Sequence, residues 1–232
     1  MRGGFKALVL CYHAVSETWP HALSLPLADL ERQLRLLLRA GYRPATAAEA
    51  LAGRGRLLHV TFDDAFRSLT LALPLLDRLS LPVTVFACPA YADGGRALDV
   101  AELARDAAVY PRELQTMGWD ELRGLAERGV EVGSHTLTHP HLTRLGDAEL
   151  RKELTESKGR LETELGRPCP LLAYPFGEED ARARRAARGA GYTAAFALPG
   201  RRRPVDLYAL PRVGVYRNEG LVRATMKVMR GR

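Results

Sequence analysis

Residues 57–64 read Leu-Leu-His-Val-Thr-Phe-Asp-Asp, an apolar run of strand length that ends in two carboxylates. The arrangement recurs along the chain, where a strand-like run is followed by a polar residue and then by apolar residues at helical spacing. Strand-like runs occur at 7–12, 57–62, 82–88, 130–133, 169–174, 193–198 and 208–215. About seven strands that alternate with helices predict an α/β protein with a largely parallel sheet.

The helices of this alternation are predicted at 27–40, 45–52, 65–79, 119–128, 147–165, 178–188 and 220–229. The number and length of the strands favour a closed or nearly closed (β/α) barrel over an open sheet. No repeat, linker or break in composition divides the chain, so we expect residues 1–232 to form a single domain. The chain has neither a GxGxxG nor a Walker A sequence, which argues against a nucleotide-binding fold.

The composition excludes several classes of protein. Hydrophobic residues make up 47% of the chain and charged residues 26%, and glycine (21) and proline (14) are too few for a disordered or fibrous chain. The net charge of +7 comes from arginines spread along the whole sequence. The only tight basic run, 201–203, has no interleaved aromatic residues, so we expect no nucleic-acid partner.

Three cysteines, Cys11, Cys88 and Cys169, lie far apart in apolar runs, which predicts buried free thiols in a reducing compartment. The N-terminus is basic, but the apolar stretch 7–11 is too short for the core of a secretion signal. No stretch approaches the roughly 18 apolar residues of a membrane span. We therefore expect a cytoplasmic protein without a transmembrane segment, and the sequence makes no prediction of its oligomeric state.

Polar residues fall at the carboxyl ends of five predicted strands. These are His13, the pair Asp63 and Asp64, His135, the turn 175–177, and Arg212. In βα barrels the active site is built from this end of the strands. The sequence therefore predicts that these residues meet in one site.

The types and spacing of these residues indicate a metal. Adjacent aspartates at a strand end point in different directions, so one can bind a metal while the other stays free as a base. His135 and His139, at i and i+4, face the same way if the turn between them is helical. One carboxylate and two imidazoles leave open positions on a metal, as in catalytic sites, and they suit Zn, Co, Ni or Fe.

Each of these features also has a plainer interpretation. An aspartate pair can cap a helix, and HxxxH can arise by chance among six histidines. Of the other histidines, we expect His59 to pack inside its strand. His141, just past the HxxxH segment, could support the metal ligands, but we expect it to lie in a surface turn.

The segments TFDD (61–64), SHTLTH (134–139) and AYPFG (173–177) together resemble the first three motifs of the NodB-type polysaccharide deacetylases, carbohydrate esterase family 4. The resemblance covers roughly residues 7–215. It implies a distorted (β/α) barrel, a divalent metal that is often zinc, and hydrolysis of an N-acetyl, in some members O-acetyl, group of a sugar or glycan.

The same resemblance implies roles for individual residues. By motif, Asp63 is the base, and Asp64, His135 and His139 are the metal ligands. The YPFG turn implies an oxyanion-hole donor at the backbone N–H of Phe176 and substrate contacts at Tyr174 and Pro175.

The sequence departs from the family pattern at two places. Many members carry the acid histidine in a C-terminal motif, yet no histidine follows His141. The segment CYHAV (11–15) instead resembles the subgroup that deacetylates poly-N-acetylglucosamine, which implies that His13 is the acid. Where many members have an arginine that orients the base, this chain has Ala173. Arg212 is expected either to supply that guanidinium or to be structural.

Two other functions compete with this interpretation. The same ligands could serve a metal-dependent hydrolase of another amide or of a phosphoester. A degenerate glycan-binding domain would keep the fold without the chemistry, but the intact aspartates and histidines argue against it. Without a recognised secretion signal, a small intracellular or lipid-linked acetylated sugar fits better than a cell-wall polymer.

Overall fold

The computed structural model describes residues 7–53, 55–198, 206–217 and 219. Strands in this part are β1 Leu8–Tyr12, β2 Ala14–Val15, β3 Ser24–Leu25, β4 Arg43–Pro44, β5 Leu57–Phe62, β6 Val83–Ala87, β7 Glu131–Ser134, β8 Leu171–Ala173, β9 Ala194–Ala197, β10 Leu210–Pro211 and β11 Val213–Gly214. Helices are α1 Leu27–Arg39, α2 Ala47–Ala52, α3 Leu73–Arg78, α4 Pro89–Ala92, α5 Ala104–Val109, α6 Trp119–Glu127, α7 Asp147–Leu165 and α8 Ala181–Gly189. The helix predicted at 220–229 and the basic run 201–203 lie outside the described residues.

The main sheet follows the order β10-β9-β8-β7-β6-β5-β1-β11, and every pairing in it is parallel. Its two end strands are halves of one segment, 210–214, which pairs with β9 on one side and with β1 on the other. The chain itself thus joins the two ends of the sheet. This confirms the predicted (β/α) barrel of about seven parallel strands, which is nearly closed.

The strands are apolar because helices and loops cover them. All residues of β1, β5 and β6 are buried, as in parallel sheets whose two faces are both packed. The three cysteines are buried and unpaired, as predicted. Within the described residues, no helix is long and apolar enough to span a bilayer.

Two predicted elements are wrong in detail. The helix predicted at 65–79 is instead a 3-10 helix, Arg67–Leu71, followed by α3. Pro74, in the first turn of α3, has no N–H to continue a helix from the preceding turn. The strand predicted at 208–215 is interrupted at Arg212, where pairing changes from β9 to β1.

The irregular segment 91–117 packs as a cover beside the barrel. Its Tyr91, Leu98, Leu103 and Leu114 form a separate apolar cluster with Trp19 and neighbouring side chains. The segment is tied to the loop after β5, because the N–H of Met117 donates to the carbonyl of Ala65 at 2.9 Å. This cover therefore lies next to the loop that follows the two aspartates.

Candidate active site

Asp64, His135 and His139 turn one carboxylate oxygen and two ring nitrogens toward a common point. Asp64 Oδ1 lies 3.5 Å from His135 Nε2 and 3.3 Å from His139 Nε2. Bonds of about 2.0–2.1 Å to a tetrahedral zinc ion would separate ligand atoms by about 3.3–3.4 Å. Asp64 Oδ1 is buried without a hydrogen-bond donor in the described part of the chain, which is costly unless a cation compensates it. The three residues therefore fit a divalent metal ion.

The two histidines hold a ring nitrogen toward the carboxylate of Asp64. Nδ1 of His135 donates a hydrogen bond to the carbonyl of Ala173 at 2.8 Å, which leaves the lone pair of Nε2 facing Asp64. Burial lowers the pKa of His135 to about 4, so its ring is neutral at neutral pH. Burial also lowers the pKa of His139, but the Asp64 carboxylate outweighs burial and leaves that pKa raised. The carboxylate thus attracts a cation to this point.

The HxxxH segment, residues 135–139, does not form the helical turn that its i,i+4 spacing favours. Thr136 and His139 have left-handed backbones, with φ of 69° and 63°, and Pro140 disfavours a helical conformation at His139. The loop still brings the rings of His135 and His139 to 4.9 Å. Asp64 is also left-handed, with φ of 67°. Such backbones cost non-glycine residues roughly 1–3 kcal/mol each and cluster at functional sites.

Asp63 is held by a guanidinium beside the three candidate ligands, with its Oδ2 3.9 Å from Nε2 of His135. Arg212 Nη1 and Nη2 donate to its two carboxylate oxygens at 2.6 and 2.7 Å, and Nη1 also donates to Thr61 Oγ1 at 3.0 Å. The thiol of Cys11 donates to the same carboxylate at 3.3 Å. Burial raises the pKa of Asp63, but Arg212 and then His135 outweigh it and hold the pKa below its usual range. Asp63 is therefore an ionised carboxylate with a fixed orientation.

His13 follows β1 on the Asp63 side of the site. A ring nitrogen of His13 lies within 4.8 Å of a carboxylate oxygen of Asp63. The residue is half-buried, and its Nδ1 has no hydrogen-bond partner among the described residues. Burial lowers the pKa of His13, which makes its protonated form a stronger proton donor.

The YPFG turn provides an unused donor. Phe176 has a left-handed backbone, with φ of 58°, and its N–H donates to no acceptor in the described part of the chain. Pro175 is buried beside it. The side chain of Tyr174 is not brought to the site: its buried hydroxyl donates to the carbonyl of Tyr208 at 2.9 Å.

Sequence reasoning missed two groups and misplaced a third. The thiols of Cys11 and Cys88 were predicted to be buried, but not their contacts with the site: Cys11 donates to Asp63, and Cys88 donates to the carbonyl of His135 at 3.0 Å. The prediction of a surface turn at His141 is wrong, because its ring stacks on Phe176 and is only 16% exposed. The sequence His139-Pro140-His141 places His141 two residues after a candidate metal ligand, which was a signal for this position. His59 packs inside its strand as predicted, 1% exposed.

Comparison with known proteins agrees with the geometry. The family model described as polysaccharide deacetylase matches residues 51–195. YxkH of Bacillus subtilis, which is provisionally named a polysaccharide deacetylase, is 23% identical over 220 residues, covering 90% of this chain and 71% of that protein.

Two solved structures share the fold. IcaB from Ammonifex degensii has 23% identity and a TM-score of 0.79, with 97% of each chain covered. The Streptococcus pyogenes deacetylase PplD, solved with acetate, has 18% identity and a TM-score of 0.79, with 97% of this chain and 99% of that chain covered.

The matched range contains both aspartates, both ligand histidines and the YPFG turn. It covers more than half of the chain, and the residues inside it form a site that fits a divalent ion. The chain therefore belongs to the polysaccharide deacetylase family and is a metal-dependent carbohydrate deacetylase.

Proposed function

We propose that the enzyme removes N-acetyl groups from N-acetylglucosamine-type sugars, with zinc held by Asp64, His135 and His139. The observation that carries the metal assignment is the buried Oδ1 of Asp64, which has no hydrogen-bond donor in the described part of the chain and lies 3.3–3.5 Å from two imidazole nitrogens. A zinc ion held by these residues would lower the pKa of a bound water and would polarise the acetyl carbonyl. A carboxylate with two imidazoles is a common ligand set for such a site.

Asp63 is the proposed general base. It takes a proton from the water that attacks the acetyl carbonyl carbon. The fork of Arg212 fixes both oxygens of the carboxylate and keeps it ionised. Arg212 would thus orient the Asp63 carboxylate, as an arginine at the position of Ala173 does in many family members.

Two further groups serve the oxyanion and the leaving group. The N–H of Phe176, which has no acceptor within the described residues, is proposed to donate to the oxyanion, and one such donor is worth about 3 kcal/mol. His13 is proposed to protonate the departing amine nitrogen, since an amide nitrogen leaves poorly without a proton. Its position near Asp63 and its unpaired Nδ1 support this role.

The substrate assignment is tested by acetate release. Purified protein with one zinc per chain is incubated with N-acetylglucosamine oligomers, poly-N-acetylglucosamine, peptidoglycan fragments, an O-acetylated xylan and a phosphodiester. We expect acetate from the N-acetylated sugars and no cleavage of the phosphodiester. Release only from O-acetyl groups, or phosphodiester cleavage without acetate release, would overturn the proposal.

A further inference from the structure

His141 and Phe176 form a contact that the chemistry above does not use. Their rings are parallel, with centroids 3.8 Å apart and planes 8° from each other. The ring of His139 meets the same phenyl ring edge-on at 4.8 Å. Phe176 is therefore packed against a proposed metal ligand and a second histidine at once.

The imidazole of His141 is held through both of its nitrogens. Nδ1 lies 3.0 Å from Glu178 Oε2, and Nε2 lies 2.9 Å from Glu102 Oε1. Glu178 directly follows the turn that contains Phe176, whereas Glu102 belongs to the cover segment 91–117. These two contacts fix the plane of the ring, so His141 presents a rigid face to Phe176.

The backbone under the phenyl ring needs such support. Phe176 and Gly177 are consecutive left-handed residues, with φ of 58° and 68°. Gly177 has no space for a side chain, because an added Cβ would lie 2.3 Å from the Cβ of Leu198. At Phe176 the same region of φ is unfavourable for a residue with a side chain, so packing of that side chain must stabilise it.

We propose that His141 is a positioning residue for the reaction: by stacking on Phe176, it holds the left-handed turn that directs the Phe176 N–H at the substrate carbonyl. The proposal rests on the oxyanion role of that N–H given under the proposed function. Since the N–H has no acceptor among the residues that the structure describes, its direction is set by the turn. His141 touches neither the reacting atoms nor the metal in this scheme.

Two substitutions separate the ring face from the polar contacts. His141→Phe keeps a flat ring but loses both carboxylate contacts, and Glu102 and Glu178 are exposed enough for water to replace them. His141→Gln keeps a polar group but loses the ring. Because loss of a whole oxyanion donor costs about 10²–10³-fold in kcat, we expect His141→Gln to lose about tenfold or more. KM should stay within about twofold, and His141→Phe should stay within about threefold of the parent in kcat.

A third substitution changes Phe176, the other residue of the same contact. Phe176→Leu keeps the backbone N–H but removes the stacked ring. We expect it to lower kcat about as much as His141→Gln does, and the double variant should lose little more. Fully additive losses in this cycle would contradict coupling through the stack.

A measurement that does not depend on catalytic activity completes the test. Hydrogen–deuterium exchange of peptides covering 174–179 is measured on metal-free protein, and the zinc content of reloaded protein is measured alongside. We expect faster exchange in His141→Gln, parental exchange in His141→Phe, and one zinc per chain in both. Parental exchange and kcat in His141→Gln, or equal losses in the two variants, would overturn the proposal. If the parent releases no acetate, the proposed function fails, while the exchange data still decide whether His141 holds the turn.

Discussion

Arg212 and Asp63, separated by 149 positions in the chain, form a buried bidentate ion pair with N–O distances of 2.6 and 2.7 Å. Arg212 lies between β10 and β11, in the segment that joins the two ends of the sheet. Closing the barrel and orienting the proposed base thus depend on the same residue. Since both side chains are buried, removing one leaves the other as an uncompensated charge.

We expect Arg212→Met to lower the free energy of unfolding by about 3–5 kcal/mol, the usual cost of breaking a buried ion pair. Arg212→Lys should lose less stability, because it keeps the charge. It should still lose activity, because an ammonium group cannot make the bidentate contact that orients Asp63. Urea unfolding and acetate release measure the two effects. A fully stable and active Arg212→Met protein would show that the pair does not orient the base.

Asp63→Asn should keep one metal ion per chain and lose most of its turnover, because proton abstraction is removed while the ligand set is intact. The variant will also be less stable than the parent, since Arg212 loses its counter-charge. Acetate release is therefore measured at a temperature where circular dichroism shows the protein folded. Turnover close to that of the parent would exclude Asp63 as the base.

The role of His13 is separated from a structural role by the leaving group. His13→Ala should slow hydrolysis of an N-acetyl sugar by roughly 10²–10⁴-fold, the usual range for acid catalysis. It should slow hydrolysis of an activated aryl acetate much less, because that leaving group needs no proton. Equal losses on both substrates would assign His13 to structure.

The buried His59 predicts how stability depends on pH. Its Nδ1 donates to the carbonyl of Ala45 at 2.9 Å, its Nε2 lies 2.9 Å from Thr84 Oγ1, and burial lowers its pKa to about 4. An unfolded histidine has a pKa of about 6.5. Between these values the unfolded chain binds a proton that the folded chain does not.

Stability from His59 is therefore full above pH 6.5 and is lost as the pH falls toward 4, by up to about 1.4 kcal/mol per pH unit. Urea unfolding of metal-free protein across this range measures the slope. His59→Gln should reduce it to the part that other buried histidines such as His135 contribute. The same slope in both proteins would show that His59 does not contribute.

The fold and the grouping of the candidate metal ligands could be predicted because both follow from local patterns in the sequence. Short apolar runs alternate with helical segments. Asp63, Asp64 and His135 directly follow two such runs, and His139 lies four residues after His135. In a parallel barrel, strand ends share one rim, so the convergence of these residues follows from their place in the sequence.

The rest depends on contacts between distant segments. The link from Glu102 to His141 spans 39 positions, and nothing local predicts it. The conformation of the HxxxH loop was missed because i,i+4 spacing indicates a helix, whereas Thr136 and His139 are left-handed. Pro140 is the local signal that argues against that helix.

The most direct test of metal-dependent deacetylation at this site is acetate release from an N-acetylglucosamine oligomer by protein stripped with a chelator and then titrated with zinc. Asp64→Asn serves as the matched variant, because it keeps the shape of the ligand but not its charge. We expect activity to vanish on stripping, to return in proportion to zinc up to one ion per chain, and to stay absent in Asp64→Asn. Acetate release by the stripped protein at the parental rate, or one tightly bound zinc per chain with full activity in Asp64→Asn, would contradict the account.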